Sequence, residues 1–300
     1  MRTLPTGRAV GRHVEFHTTT DPEGDAVGLS VTANDIARVH QALLPPGSIS
    51  DQAACVAAVR RLGFVWAFTP GAGTLPAIFT AMACETEYQK WDLMWGWKDR
   101  IAESRQAYYG KLVCLKPTFV SMEWLPRFYA LTGNTGDLAD DLDQLGENGR
   151  VPELARNVVN YLSEHGPTGT RTLMQKLTDG SKEMKSALEK ALEFLDTRML
   201  IVKAGTEGGN SIANVWDLFP RFLPDVVDAG TEIPTREAAV LLFRQFFQLT
   251  PAATVKALDR LFPWNPGHQK NAIARLVEAG ELVACTVNGK PGLRRADFGG

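Results

Sequence analysis

Four cysteines, five histidines and a charge balance close to zero are the first constraints on this 300-residue chain. Cys55, Cys84, Cys114 and Cys285 are scattered, with no Cys-x-x-Cys pair and no histidine at ligand spacing. That argues against a disulfide framework and a zinc site, and leaves buried free thiols. His13, His17, His40, His165 and His268 are dispersed and read as structural or solvated. Long apolar runs are missing as well. The opening residues, MRTLPTGRAVGRHVEF, lack the apolar stretch of a signal peptide, and no later run approaches the roughly 20 apolar residues that span a bilayer. The expectation is a cytoplasmic protein with no membrane partner. A formal net charge of -2 gives no global support to nucleic-acid binding, so any such surface must be local. There is no Gly-x-Ser-x-Gly, no phosphate loop and no pair of metal ligands, and hence no sign of a metal or a cofactor.

What is present is amphipathic periodicity, with 44% hydrophobic residues to fill about two domains. Ser181 opens a helix whose Met184, Leu188, Leu192 and Leu195 form one apolar face. It runs into Met199 to Val202, a glycine-rich break at Gly205 to Asn210, and Ser211 to Trp216, the pattern of a hairpin. Helices over Pro152 to His165 and Thr170 to Leu177 precede it, with Gly166-Pro167 as a stop. A second such unit begins with the helix Thr235 to Gln248. Asn265-Pro266 then opens a helix that buries Ala272, Ile273 and Leu276, and Asn288-Gly289 is the favoured two-residue hairpin turn.

The predicted fold is mainly α with small β-hairpins (α+β), built from tandem winged helix-turn-helix domains. The divisions are an extended arm over 1–28, a degenerate winged-helix-like domain over 29–90, a connecting segment over 91–149, and winged helices over 150–228 and 229–300. In the arm, Arg2, Arg8 and Arg12 could reach a DNA backbone, although a loose terminus is the simpler reading. Thr32-Ala33-Asn34-Asp35 reads as a capping box, and Ser50 as the cap of the next helix. The connecting segment interleaves Trp91, Trp95, Trp97, Tyr108, Tyr109, Trp124, Phe128 and Tyr129 with Lys98, Arg100, Arg105, Lys111, Lys116 and Arg127. Two readings are open there: a nucleic-acid groove, or the more ordinary packing of aromatics between domains.

Arg61-Leu62-Gly63-Phe64-Val65 resembles the helix end and catalytic strand of the AlkZ/YcaQ-type DNA glycosylases, tandem winged-helix enzymes that excise alkylated bases. Leu276-Val277-Glu278-Ala279-Gly280-Glu281-Leu282-Val283 resembles their last winged helix, and Trp95-Gly96-Trp97-Lys98-Asp99 resembles a feature of uncharacterised relatives of that group. The resemblance implies a strand continuing as Gln-hydrophobic-Gln or Gln-hydrophobic-Asp, whose polar side chains hold water as the base leaves. This chain has Trp66-Ala67-Phe68 there. None of the three can act as a general base or position water. The expectation is membership of the superfamily without its catalysis. DNA contacts are expected from His268, Gln269, Lys270, Asn271 and Arg275 on the last third helix, Lys290, Arg294 and Arg295 on its wing, and Lys182, Lys185 and Lys190 on the central unit. A solvated face is the competing reading, because Glu183, Glu189 and Glu193 share the central helix. An active glycosylase using other residues, or a scaffold binding a protein or a second copy of the chain, completes the alternatives.

Overall fold

A computed structural model describes residues 29–68, 74–149, 151–208 and 213–299. The predicted arm over 1–28, with Arg2, Arg8 and Arg12, lies outside the described residues. The molecule is mainly α with small sheets, as its periodicity predicts.

One connectivity occurs three times: helix, short strand, helix, longer helix, hairpin. In the first unit these are α2 (Gln52–Leu62), β2 (Phe64–Trp66), α3 (Ile78–Ala81), α4 (Glu87–Glu103), β3 (Tyr108–Val113) and β4 (Lys116–Val120), after β1 (Ser30–Val31) and α1 (Ala33–Leu43). Helices α5 (Leu125–Thr132) and α6 (Leu138–Asn148) lead into the second, α7 (Glu153–His165), β5 (Thr168–Gly169), α8 (Thr170–Leu177), α9 (Lys182–Thr197), β6 (Ile201–Glu207) and β7 (Ala213–Leu218). Then α10 (Phe219–Phe222) and α11 (Pro224–Thr231) lead into the third, α12 (Thr235–Leu249), β8 (Ala252–Thr254), α13 (Val255–Leu258), α14 (Pro266–Glu278), β9 (Leu282–Val287) and β10 (Lys290–Arg295). In every unit the last strand lies between the other two, giving the orders β2-β4-β3, β5-β7-β6 and β8-β10-β9.

The three long helices α4, α9 and α14 also end alike. Arg105, Met199 and Gly280 adopt positive φ of 55°, 56° and 70°. The next backbone N–H reaches five residues back each time, Gln106 to Ile101, Leu200 to Leu195 and Glu281 to Leu276, as in a Schellman turn. Such a turn satisfies carbonyls that the helix end leaves free and points the chain into the hairpin.

This topology moves two expected boundaries. The first unit does not stop near residue 90, because β2 is hydrogen-bonded to β4, with Phe64 opposite Val120 and Trp66 opposite Thr118. Residues 91–120 therefore supply that unit's long helix and hairpin rather than a connection. Nor does 29–43 belong to it: β1 pairs in parallel with β9, extending the last sheet, and α1 packs on α12. The capping box of Thr32 and Asp35 is present, whereas α2 is capped by the Asp51 carboxylate rather than by Ser50. Asp51 places its oxygen 2.8 Å from the Ala54 N–H, a geometry its carboxylate reaches and the preceding hydroxyl does not.

Apolar burial joins the first and third units. One core runs from Leu44 to Leu131 and resumes from Met199 to Leu293, while the central unit keeps its own around Leu154, Val158 and Leu162, with Leu188 and Leu195. Gly63 shows how tight the shared core is, since a Cβ there would lie 2.9 Å from the Trp124 indole, and its φ of 82° disfavours a side chain in any case. Polar ties reinforce the seam. Gln245 Nε2 donates to the Leu62 carbonyl at 2.8 Å, and Asn265 Nδ2 donates to that of Leu131 at 2.8 Å.

Candidate nucleic-acid interface

The strand expected to carry catalysis is closed and apolar. Trp66 is 4% exposed, and its Nε1 points to the Val113 carbonyl at 3.4 Å. Ala67 is fully buried and held by its backbone, accepting from Phe79 N and donating to the Pro117 carbonyl. Phe68 lies at the edge of the core, stacked on Trp91 at 5.0 Å and 19°. Each side chain at the motif position is thus committed to packing, and none offers an oxygen or a basic nitrogen to a water. Tyr108, nearby on β3, is buried with an unpartnered hydroxyl, and burial pushes its pKa well above the ordinary phenol. It is no base at neutral pH.

Cations gather instead on the long helices. On α14, His268, Lys270, Asn271 and Arg275 are exposed, and their side chains have no hydrogen-bond or ion-pair partner among the described residues. On the hairpin that follows, Lys290 is exposed in the same way. Arg275 also borders a depression of about 500 Å³ with Arg236, Glu237, Val240, Leu241 and Arg244. Arg244 is held there by two 2.7 Å hydrogen bonds to Glu281, whose carboxyl is consequently held below its usual range. Arg236 and Arg244 escaped the sequence reading because they flank an apolar run; both sit on the polar side of α12, a position that helical periodicity could have identified.

Three expected contacts are corrected. Gln269 is 4% exposed, because its amide turns inward to the carbonyls of Phe262 and Trp264. Arg294 is 7% exposed, and its Nη1 donates to the carbonyls of Arg295, Ala296 and Phe298, closing the C-terminal turn. Arg295 is partly exposed but occupied by Asp297 and by Gln248, each through a hydrogen bond of 2.8 to 2.9 Å. In each case buried or terminal backbone carbonyls and neighbouring acceptors recruit the donors, as unsatisfied polar groups demand.

On α9, the mixed charge resolves into separate roles. Glu193 is taken by Lys111 on β3 at 2.8 Å, across units rather than within the helix, and that partner holds its carboxyl low. Lys182, Lys185 and Lys190 are exposed and unpaired among the described residues. The aromatic segment divides as well. Trp97, Tyr108, Phe128 and Tyr129 are buried, whereas Tyr88, Trp91 and Trp95 on α4 are 80%, 40% and 56% exposed. No cluster of His, Cys, Asp or Glu able to hold a metal occurs among the described residues, and none of their helices is long and apolar enough to cross a membrane.

Residues 49–263 match the model of a family described as AlkZ related. Among solved structures, the Streptomyces sahachiroi DNA glycosylase AlkZ is similar, with a TM-score of 0.51 and 14% identity over 90% of this chain and 71% of that one. No curated protein matches.

Proposed function

Taking as premise that the chain belongs to the AlkZ-related family, we propose that it is a non-catalytic DNA-binding protein whose three repeated units act as tandem winged helices. The observation that carries this reading is a contrast. The motif position that would do the chemistry holds only Trp66, Ala67 and Phe68, while α9 and α14 keep exposed cations that are unpaired among the described residues. Third helices of winged helix-turn-helix units enter the major groove, and in this reading Lys182, Lys185, Lys190, Lys270 and Arg275 supply the cations that meet phosphates there. Asn271 and His268 add groups able to hydrogen-bond to base edges. Arg236 beside Arg275 widens the basic surface of the last unit. With a net charge of -2 on the chain, binding through such local patches is salt-sensitive and modest in strength.

Fluorescence anisotropy with labelled duplex, single-stranded and abasic DNA at two salt concentrations tests the proposal. Binding that weakens with salt and falls on combined Lys270, Arg275 and Lys290 to Ala substitution is the expected result. An excision assay on alkylated duplex accompanies it, with no base release expected. No binding at low salt would remove the DNA reading and leave the units as a scaffold for a protein partner. Base release abolished by a substitution elsewhere would restore the enzymatic reading.

A further inference from the structure

We propose that the outer face of α4 is a stacking platform for unpaired nucleobases of DNA, a proposal that rests on the DNA-binding reading above. Its first support is positional. The matching helix ends at Arg105, Met199 and Gly280 put α4, α9 and α14 in one register. Counted back from those residues, Trp91 takes the position of Lys185 and Pro266, and Trp95 takes that of Glu189 and Lys270. At each of these two positions the first unit presents an indole where one of its sister units presents a lysine.

The second support is how these rings are held. Trp91 and Trp95 are 40% and 56% exposed, a large apolar outlay for two residues on one helix face. Neither is loose. Trp91 stacks on Phe68 at 5.0 Å and 19° and lies 4.8 Å from Phe79, and its Nε1 is 3.4 Å from Glu87 Oε1. Trp95 has the Lys98 ammonium 4.6 Å from its ring centre, and Lys98 in turn is fixed by Asp99 at 2.5 Å and by the Tyr109 ring. One face of each indole is thus occupied by the protein, and the ring has little rotamer freedom left to lose on binding.

The third support is chemical. The cations on α4 are already engaged, Lys98 by Asp99, Arg100 by the Gln52 side-chain oxygen and Lys90 by the Phe79 ring, and Glu87, Asp92, Asp99 and Glu103 stand among them, so the face is poorly suited to phosphates. What it offers is flat π surface beside ammonium groups, which suits a nucleobase, and every base has such a face. Bases inside a duplex have their faces covered by stacking. Only a bulged, extruded or single-stranded base can use the platform.

The test compares the full-length protein with Trp91→Ala/Trp95→Ala and Trp91→Phe/Trp95→Phe variants. Labelled duplex, the same duplex with a one-nucleotide bulge, and a single strand serve as probes. Both positions are exposed, and unchanged circular dichroism and thermal melting verify the fold. The expected result is tighter binding of the bulged and single-stranded probes by the wild type. The alanine pair loses roughly tenfold or more on those two, stays within twofold on plain duplex, and the phenylalanine pair recovers most of the loss. Equal affinities for all probes, or an alanine pair that weakens plain duplex as much, would overturn the platform while leaving DNA binding in place. A wild type that binds no probe at low salt would overturn both. A wild-type dimer in sedimentation that the alanine pair dissociates would assign the face to self-association and overturn the platform.

Discussion

The indole Nε1 of Trp264 donates to the backbone carbonyl of Thr197 at 2.9 Å, so the residue leading into α14 is tied to the last residue of α9. Two long helices from different units are thereby fixed against each other. Trp264 is 6% exposed, and nothing else among the described residues replaces an N–H aimed at that carbonyl. Trp264→Phe keeps most of the ring but removes the donor, and a buried or half-buried acceptor left unsatisfied costs about 1–2 kcal/mol. Urea unfolding is expected to show that loss. A variant as stable as the wild type would mean that water satisfies the Thr197 carbonyl and that the tie is incidental.

Adjacent residues on α14 should separate binding from folding. Gln269 faces inward and caps the carbonyls of Phe262 and Trp264, while Lys270 faces solvent without a partner among the described residues. Gln269→Ala strands buried acceptors and is expected to cost roughly 2 kcal/mol of stability. Its DNA affinity, measured where the variant is folded, should remain near that of the wild type. Lys270→Ala should do the reverse, leaving the melting temperature within a degree or so and lowering the slope of log affinity against log salt by about one phosphate contact. Reversal of the two phenotypes would put Gln269, against its burial, in the interface.

The hairpin turn of the first unit is made from residues that resist it. Val113 pairs with Lys116, leaving Cys114 and Leu115 as a two-residue loop with φ of 52° and 54°. Asn288 and Gly289 do the same work in the last unit at 49° and 74°. Such turns need positive φ at both central positions, which costs an ordinary L residue about 1–2 kcal/mol and suits Asn-Gly. Leu115 is 54% exposed, so little packing is lost with its side chain. Leu115→Gly is therefore expected to stabilise the protein by about 1 kcal/mol, even after the entropy that glycine loses on folding. Thermal or urea unfolding that shows destabilisation would mean that the leucine makes a contact worth more than the strain.

The same turn shows what the sequence could and could not reveal. The last hairpin was legible through Asn288-Gly289, and the central unit through the clean apolar faces of its helices. The hairpin of the first unit was not, because Cys114-Leu115 carries no turn chemistry and Arg105 ends α4 in a left-handed conformation usually given to glycine. Nor did α4 show one apolar face. Its buried Met94, Trp97 and Ile101 alternate with the exposed Trp91 and Trp95, so aromatics stand on both sides of the helix. The site followed a similar rule. Loss of polar side chains at Trp66-Ala67-Phe68 was readable directly, as were the basic and polar residues of α14 and the mixed charge of α9. That Gln269 and Arg294 turn inward depends on which distant carbonyls need donors, and no local pattern encodes that.

Asp196, on the last turn of α9, is a buried carboxylate with one unpartnered oxygen. Burial raises its pKa, outweighing the opposing pull of Lys203 and Lys111, and the nearer ammonium, on Lys203, is 3.8 Å away. A carboxyl whose folded pKa lies above its unfolded value of about 3.9 contributes stability below that value and loses it as pH rises through the folded pKa. At neutral pH the ionised side chain is thus a cost. Asp196→Asn keeps the shape and removes the charge. Lys203 keeps company without it, its ammonium lying 5.8 Å from the Tyr109 ring centre and 5.6 Å from that of Trp216. The variant is expected to be more stable than the wild type in urea at pH 7.5, with the difference shrinking as pH falls towards 4. Should it instead be less stable at pH 7.5, the attraction to Lys203 would outweigh desolvation, and the pair would be a net tie between the central helix and its hairpin.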